Sequence, residues 1–549
     1  MMNLETILTE EYIKEYQSVW PNKTILDYLK EAIAKAPDKV ALIDKKSRYT
    51  YRELGKLVDR VALGLLEIGL RKGDVISFQL PNWNEFVILH FAVTRIGAIS
   101  NPLVPIYRDK EIGFMVKMTE SKMIVVPEEF RGFHYPEMIE RLLPQWPSMK
   151  HVYVLGNHVP AGMKSFSELI EEPWEERKDP AELDQFAFDP NEVTEIIFTS
   201  GTTGEPKGVM HTHNTVTMAS MNWIDHLKLT PHDVIFMAST FAHQTGFLYG
   251  VRLPIMYAGS AVYQDIWNPK EFVEWIEKEK ITLTVGATPF LQDTLQVEGI
   301  EEFDLSSLRY FIAVGAPIPR TLVKQATQKL PCGILTGWGQ TENGMVTATL
   351  ANDLEEKVTN TDGAPLPGMK IKVVDPAGNT NPPNVEGSLL CKGPTLFVGY
   401  LKRLEHTKLE FDDGWFITGD RAMMDEDGYI RITGRNKDII IRGGENIPVA
   451  YVENVLYEHP DIFNVQIIAM PDPRLQEKAC ACISMKPGKV PLTMDAMTEY
   501  MESKGVAKQY WPEHIEIIDD FPKTPSGKIQ KYRLREMIIE KISNNEKTT

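Results

Sequence analysis

Between residues 50 and 340 two periodicities take turns along the chain. YRELGKLVDRVALGLLEIGL repeats its apolar residues three and four apart, which predicts an amphipathic helix, and the apolar DVISFQL that follows predicts a strand. NPKEFVEWIEKEK opens with Asn268 as a helix cap and Pro269 in the first turn, then feeds the strand-like ITLTVGAT. Such alternation builds a mostly parallel sheet covered by helices, whose ligands sit in the loops beyond the carboxyl ends of the strands. Past Arg435 the pattern becomes a compact α+β one: strand DIIIRGG, helix VAYVENVLYEHP, strands NVQIIAM and KACACIS, a helix from about Met494 to Ser503, then HIEIIDDF. The expected architecture is α/β: a large N-terminal domain of mostly parallel sheets covered by helices (1–435), and a small mobile α+β C-terminal domain (436–549). The joint falls near Gly434 to Asp438. No internal repeat or low-complexity tract is present, and the terminal NNEKTT reads as frayed.

Composition narrows the class. The 549 residues exceed one ordinary domain, and 43% of them are hydrophobic, an ordinary share for a globular protein. No run approaches the roughly eighteen apolar residues of a membrane span, and MMNLETILTEEYIKEYQ is acidic where a secretory signal is basic and then apolar, so a cytoplasmic chain without a transmembrane segment is expected. The net charge of -17 argues against a nucleic-acid partner. Any anion site must then be locally basic. Cys332, Cys391, Cys480 and Cys482 lack metal-ligand spacing and suit a reducing compartment; Cys480 and Cys482 alternate on what reads as one face of a buried strand.

The strongest chemical signal is TEIIFTSGTTGEPKGVMHTH, residues 194–213. A strand over Thr194–Phe198 runs into Thr199, Ser200, Gly201, Thr202, Thr203, Gly204, Glu205, Pro206, Lys207 and Gly208, and a helix is expected next. Glycines let backbone N–H groups close around phosphate oxygens, hydroxyls add donors, and Lys207 adds charge. This is a polyphosphate cradle, but no Walker A loop, because Pro206 stands where that motif needs Gly and Gly208 where it needs Ser or Thr. Two other sites are declined. DEDG at 425–428 is too short for a calcium loop, and His211 and His213 find no third zinc ligand nearby.

The loop resembles the signature of the adenylate-forming superfamily, which includes acyl-CoA synthetases, firefly luciferase and the adenylation domains of peptide synthetases. AVGAPIP (313–319), GWGQTEN (337–343), GWFITGD (414–420), DGYIRITGRNKDIIIRGGENI (427–447) and PKTPSGKIQK (522–531) follow in the family's order, so the resemblance spans nearly the whole chain, Asn22 to Leu534. It implies an AMP-forming acid–thiol ligase of the acyl-CoA synthetase branch. ATP and a small carboxylic acid would give acyl-AMP and pyrophosphate, and coenzyme A would then take the acyl group, with Mg²⁺ as the metal.

Attack of a carboxylate on the α-phosphate requires charge neutralisation at the acid, the α-phosphate and the departing pyrophosphate. The resemblance implies that Thr341 donates a hydroxyl to the α-phosphate and Glu342 holds Mg²⁺. It puts adenine against Trp338, Gly315, Ala316 and Pro317, with Gly339, Gln340 and Ile432 in the same nucleotide set, and the ribose between Asp420 and Arg435. Lys528 would contact both the acid and the α-phosphate. Gly443, Gly444 and Glu445 would line the coenzyme A tunnel, Lys437 would be the hinge, and His243 in TFAHQTGF would lie beside the acyl and thiol channels.

Two departures stand out: Gln476 precedes Glu477 where the family commonly has Gly-Glu, and Arg442 precedes the Gly-Gly pair where many relatives carry a small residue. RGGEN and FAHQTGFLYG look most like ligases of aryl, alicyclic or short-to-medium acids. Three alternatives stay open: an aryl-acid ligase that loads a separate carrier protein, a luciferase-like oxidation of the same adenylate, and a non-catalytic nucleotide-binding regulator. The last predicts a damaged charge set, yet Lys207, Thr341, Glu342, Asp420, Arg435 and Lys528 are all present.

Overall fold

The computed structural model describes residues 4–546 except 187, 200–205, 316–317, 437–439, 443–444, 448, 473–475, 507 and 524–528. The expected helices form where their caps and apolar stripes dictate. Thr50 and Glu53 make a reciprocal capping box at the start of the helix Tyr51–Glu67. Asn268 accepts from the backbone N–H of Lys270 and Glu271, at 3.0 and 3.1 Å, to open Pro269–Glu279.

Two large sheets carry residues 40–365 and the strand Gly399–Tyr400. In one, the neighbouring strands Gly333–Gln340, Tyr310–Ala313, Leu283–Gly286, Val234–Met237, Ser260–Tyr263 and Val40–Ile43 all run parallel, with antiparallel strands added at both edges. The other orders Gly399–Tyr400, Lys207–Thr212, Val193–Thr199, Ile99–Pro102, Val75–Phe78, Met123–Pro127, His151–Leu155 and Lys164–Ser165; it is parallel from Val193–Thr199 onward. The helix Asn84–Arg95 is buried at every residue but Glu85 and shares one apolar core with residues of both sheets. A helix without a solvent face needs no polar stripe, and FVILHFAV supplies none.

Three features differ from the sequence expectation. The phosphate loop leads first into the strand Lys207–Thr212, antiparallel to Val193–Thr199, and the helix His213–Leu227 starts only afterwards. KGVMHT is buried at every residue but Lys207 and so shows no period-two alternation, and glycine and proline precede it. Residues 370–435 form a separate antiparallel sheet, Lys370–Val374, Gly387–Lys392, Trp415–Met424, Phe411–Asp412 and Ile430–Arg435, that the parallel reading did not include. The terminal Asn544, Asn545 and Glu546 extend the helix Lys531–Glu546.

The α+β reading of the last hundred residues holds. Val449–Tyr457 and Met494–Ser503 are helices, and Ile462–Asp472, Gln476–Met485 and His514–Ile517 are strands of one sheet with its own core. Cys480 and Cys482 are fully buried with their sulfurs 3.9 Å apart, packed with Leu534 and Ile538 of the terminal helix. Arg442 pairs with Glu513 across this unit, and Gln292 of the large region donates to the Phe463 carbonyl at 3.0 Å.

Candidate active site

The parallel strands Leu283–Gly286, Tyr310–Ala313 and Gly333–Gln340 lie side by side, so Gly315 and the GWGQTEN segment leave the same sheet edge. Gly333–Gln340 then reverses into Gly344–Ala348 with Gly339 opposite Met345. A Cβ on Gly339 would stand 1.9 Å from the Gly344 carbonyl oxygen, so no other residue fits this reversal unshifted. Asn343, buried inside the turn, accepts from the Gln340 backbone N–H at 2.7 Å; its own carbonyl accepts from the Thr395 hydroxyl at 2.7 Å.

Asp420 is the acceptor at the centre of one cluster. Oδ2 receives the Trp338 indole N–H at 2.8 Å and the Gln340 amide at 3.1 Å, while Oδ1 receives Arg435 Nε at 3.0 Å. Trp415–Met424 and Ile430–Arg435 pair antiparallel with Asp420 opposite Arg435, which explains why residues fifteen apart in sequence meet. Asp420 is buried and Arg435 half-exposed, so the guanidinium can turn toward a ligand without leaving its partner's reach. Ile432 is fixed by its backbone N–H, which donates to Asp362 Oδ2 at 2.8 Å.

Glu342 belongs to a second cluster. Burial pushes its carboxyl above the ordinary 4.5, while the Tyr400 hydroxyl, Lys207 and Arg435 pull it back. Tyr400 donates to Glu342 Oε1 at 3.0 Å, and its ring lies 4.5 Å beneath Lys207 Nζ. Thr199 pairs with Lys207 across the hairpin, so both ends of the phosphate loop are pinned by the sheet. The neighbouring Thr341 presents its carbonyl to His211 Nε2 at 2.7 Å. A carbonyl only accepts, so Nε2 carries the proton and Nδ1 faces the Thr215 hydroxyl at 3.0 Å. Burial lowers the His211 pKa, consistent with this neutral tautomer.

Residues 29–401 match the AMP-binding enzyme family, and residues 451–528 match the AMP-binding enzyme C-terminal domain. The chain belongs to the AMP-binding enzyme family. It is 36% identical over 532 residues to a medium-chain fatty-acid–CoA ligase of Escherichia coli, covering 96% of this chain and 93% of the relative. It is 30% identical to a 2,3-dihydroxybenzoate–AMP ligase of Bacillus subtilis over 97% of both chains. Among solved structures, ATP-bound MatB from Rhodopseudomonas palustris superposes with a TM-score of 0.82 at 26% identity, over 94% of this chain and 99% of that one.

For this AMP-binding enzyme the structure brings Thr199, Lys207, Trp338, Gly339, Gln340, Thr341, Glu342, Asp420 and Arg435 into two clusters joined through the segment from Gln340 to Glu342, with Tyr400 between Glu342 and Lys207. Gly315 follows Tyr310–Ala313 in a left-handed conformation, φ 79°. His243 lies half-buried at the start of a tight turn, where a Cβ on Gly246 would meet the Thr240 carbonyl at 2.2 Å. Its neighbour Gln244 donates to Glu195 Oε1 at 3.0 Å, and Glu195 pairs with the fully buried Arg252 at 2.8 Å. Ser200, Gly201, Thr202, Thr203, Gly204, Ala316, Pro317, Lys437, Gly443, Gly444 and Lys528 lie outside the described residues, and of Glu445 only the backbone strand Glu445–Ile447 is described.

Sequence reasoning missed Tyr400, Asn343 and Glu410, and weighed His211 only as a metal ligand. FVGYLKR carries no local sign of chemistry; Tyr400 reaches Glu342 because its strand, Gly399–Tyr400, pairs with Lys207–Thr212. Among the described residues no group of three or more His, Cys, Asp or Glu could cage a metal ion. A single carboxylate, Glu342, suits Mg²⁺, which commonly binds through one or two carboxylates together with substrate phosphates and water.

Proposed function

We propose that this chain is an AMP-forming carboxylic acid–CoA ligase. The carboxylate oxygen of the acid attacks the α-phosphorus of ATP and the bond to pyrophosphate breaks. The thiol of coenzyme A then attacks the acyl carbon, and AMP leaves. The observation that carries the reading is the joining of the two clusters: Gln340, which with Trp338 and Arg435 donates to Asp420, stands two residues from Glu342, and Glu342 accepts from Tyr400, whose ring lies beneath Lys207.

Charge decides the roles. Lys207 neutralises the phosphates that become pyrophosphate, Asp420 and Arg435 hold the ribose hydroxyls, and Trp338 lines the adenine slot with Gly315, Gly339, Gln340 and Ile432. Thr341 offers its hydroxyl to the α-phosphate while His211 holds its backbone carbonyl. Glu342 would hold Mg²⁺, whose chemistry when bound is neutralisation of phosphate charge. By the family's motifs Lys528 serves adenylation, Gly443, Gly444 and Glu445 the thiol tunnel, Lys437 the hinge between 1–435 and 436–549, and His243 the acyl and thiol channels.

The relatives support a medium-chain or aryl acid as substrate, and no helix among the described residues is long and apolar enough to cross a membrane, which fits a cytoplasmic ligase. The dihydroxybenzoate–AMP ligase relative favours one second reading, adenylation of an aryl acid for a carrier protein. Acid-dependent exchange of pyrophosphate into ATP tests the first step. AMP release across a panel of acids, with coenzyme A or a pantetheinylated carrier protein, tests the second. Absence of acid-dependent exchange across the panel would sink both readings.

A further inference from the structure

The cation that the phosphate reading needs is already held by a carboxylate. Lys207 Nζ donates to Glu410 Oε1 at 3.1 Å, with Lys207 13% and Glu410 28% exposed. Glu410 ends the short helix Leu404–Leu409, and its backbone is fixed: its N–H reaches the Thr407 carbonyl, and its carbonyl accepts from Ile417 on the strand that carries Asp420. A carboxylate at the carboxyl end of a helix gains nothing from the backbone dipole. Among the described residues Glu410 pairs with Lys207 and, when protonated, with His406, whose Nδ1 lies 3.6 Å away. Glu342 accepts from the Tyr400 hydroxyl at 3.0 Å, and the Tyr400 ring lies beneath Lys207. Two carboxylates thus share the lysine's neighbourhood, although Glu342 alone suffices for a metal.

We propose that Glu410 stands in for phosphate: it holds Lys207 until the triphosphate displaces it, and recaptures Lys207 as pyrophosphate departs. Lys207 has three N–H donors and Glu410 accepts one of them, so a phosphate oxygen can enter on another, but its charge then lies beside that carboxylate and repels it. The same like-charge contact loosens pyrophosphate once its bond to the nucleotide is broken. Glu410 is therefore a positioning residue that weakens ATP and pyrophosphate together. The inference rests on Lys207 being a phosphate ligand.

Steady-state kinetics on a double-mutant cycle separates the two ideas. Glu410→Gln should lower both the KM for ATP and the inhibition constant of pyrophosphate about two- to fivefold, the range expected of a partly exposed ion pair. In a Lys207→Ala background the same change should move neither constant. Glu410→Ala, checked with a thermal melt, must reproduce the direction if Gln disturbs packing. The inference is overturned if neither constant falls although Lys207→Ala raises the KM for ATP, if only one of them falls, or if both fall equally without Lys207. A Lys207→Ala variant that uses ATP normally would instead bring down the phosphate reading itself.

Discussion

Replacing Asp420 separates a structural acceptor from a nucleotide ligand, because the two roles predict different losses. Asp420→Ala strips the acceptor from the buried Trp338 N–H and from one N–H of Gln340, whose amide keeps its bond to the Thr418 carbonyl at 2.9 Å. An orphaned buried donor costs about 1–3 kcal/mol, and the half-exposed Arg435 loses under about 1 kcal/mol. The sum is about 1–4 kcal/mol. At roughly 2 cal/mol/K of unfolding entropy per residue, a unit of about 400 residues would melt roughly 1–5 °C lower. Asp420→Asn keeps one oxygen for Trp338 and should cost about 1 kcal/mol. If Asp420 also holds the ribose, Ala further removes an anionic acceptor worth about 1.5–3 kcal/mol, a loss of about 10- to 150-fold in kcat/KM for ATP. Asn should lose less, and the order of preference among acids should not change. The assay is a melt together with kcat/KM for ATP at saturating acid, and kcat/KM for several acids at saturating ATP. An Ala variant that melts early yet uses ATP normally would reduce Asp420 to a prop for Trp338; changed acid preference with unchanged ATP dependence would move it to the acid pocket.

Glu342→Gln should raise stability while lowering activity. Burial raises the Glu342 pKa in the folded chain, so its contribution to stability is present below the unfolded value and lost as pH rises through the folded one. The neutral variant should therefore melt higher than the parent at pH 7, the gain shrinking toward pH 4, with adenylation roughly a hundredfold slower, about 2.7 kcal/mol; a variant that melts lower at pH 7 contradicts this. Lys528→Ala should abolish acyl-adenylate formation, a charge pair at about 4 Å being worth roughly 4 kcal/mol, yet leave thioester formation from supplied acyl-adenylate largely intact. Equal loss of both half-reactions would mean a single static site. Gly339→Ala should cost about 1–3 kcal/mol, since its Cβ must displace the Gly344 carbonyl, and chemical denaturation at parental midpoint would refute that steric argument.

The sequence by itself determined the classes of structure and the chemistry. Period 3.6 and buried apolar runs mark elements such as Tyr51–Glu67 and Val75–Phe78 because burial of one face, or of both, is written into local residue choice. The ordered motifs pointed to Lys207, Thr341, Glu342, Asp420 and Arg435 as candidates, because the phosphate, ribose and metal that the reading proposes each call for particular ligand groups. Periodicity did not disclose the antiparallel sheet built from Lys370–Val374 to Ile430–Arg435, or the strand Lys207–Thr212, which is buried on both faces and carries no alternation. Only the tertiary structure decided the partners: Tyr400 on Glu342, Glu410 on Lys207, His211 on the Thr341 carbonyl, and Trp338 on Asp420. These contacts join residues between 58 and 203 positions apart. Pairing over such separations depends on which strands lie side by side and in what register, and that is set by the packing of the whole core rather than by any residue's immediate neighbours in the chain.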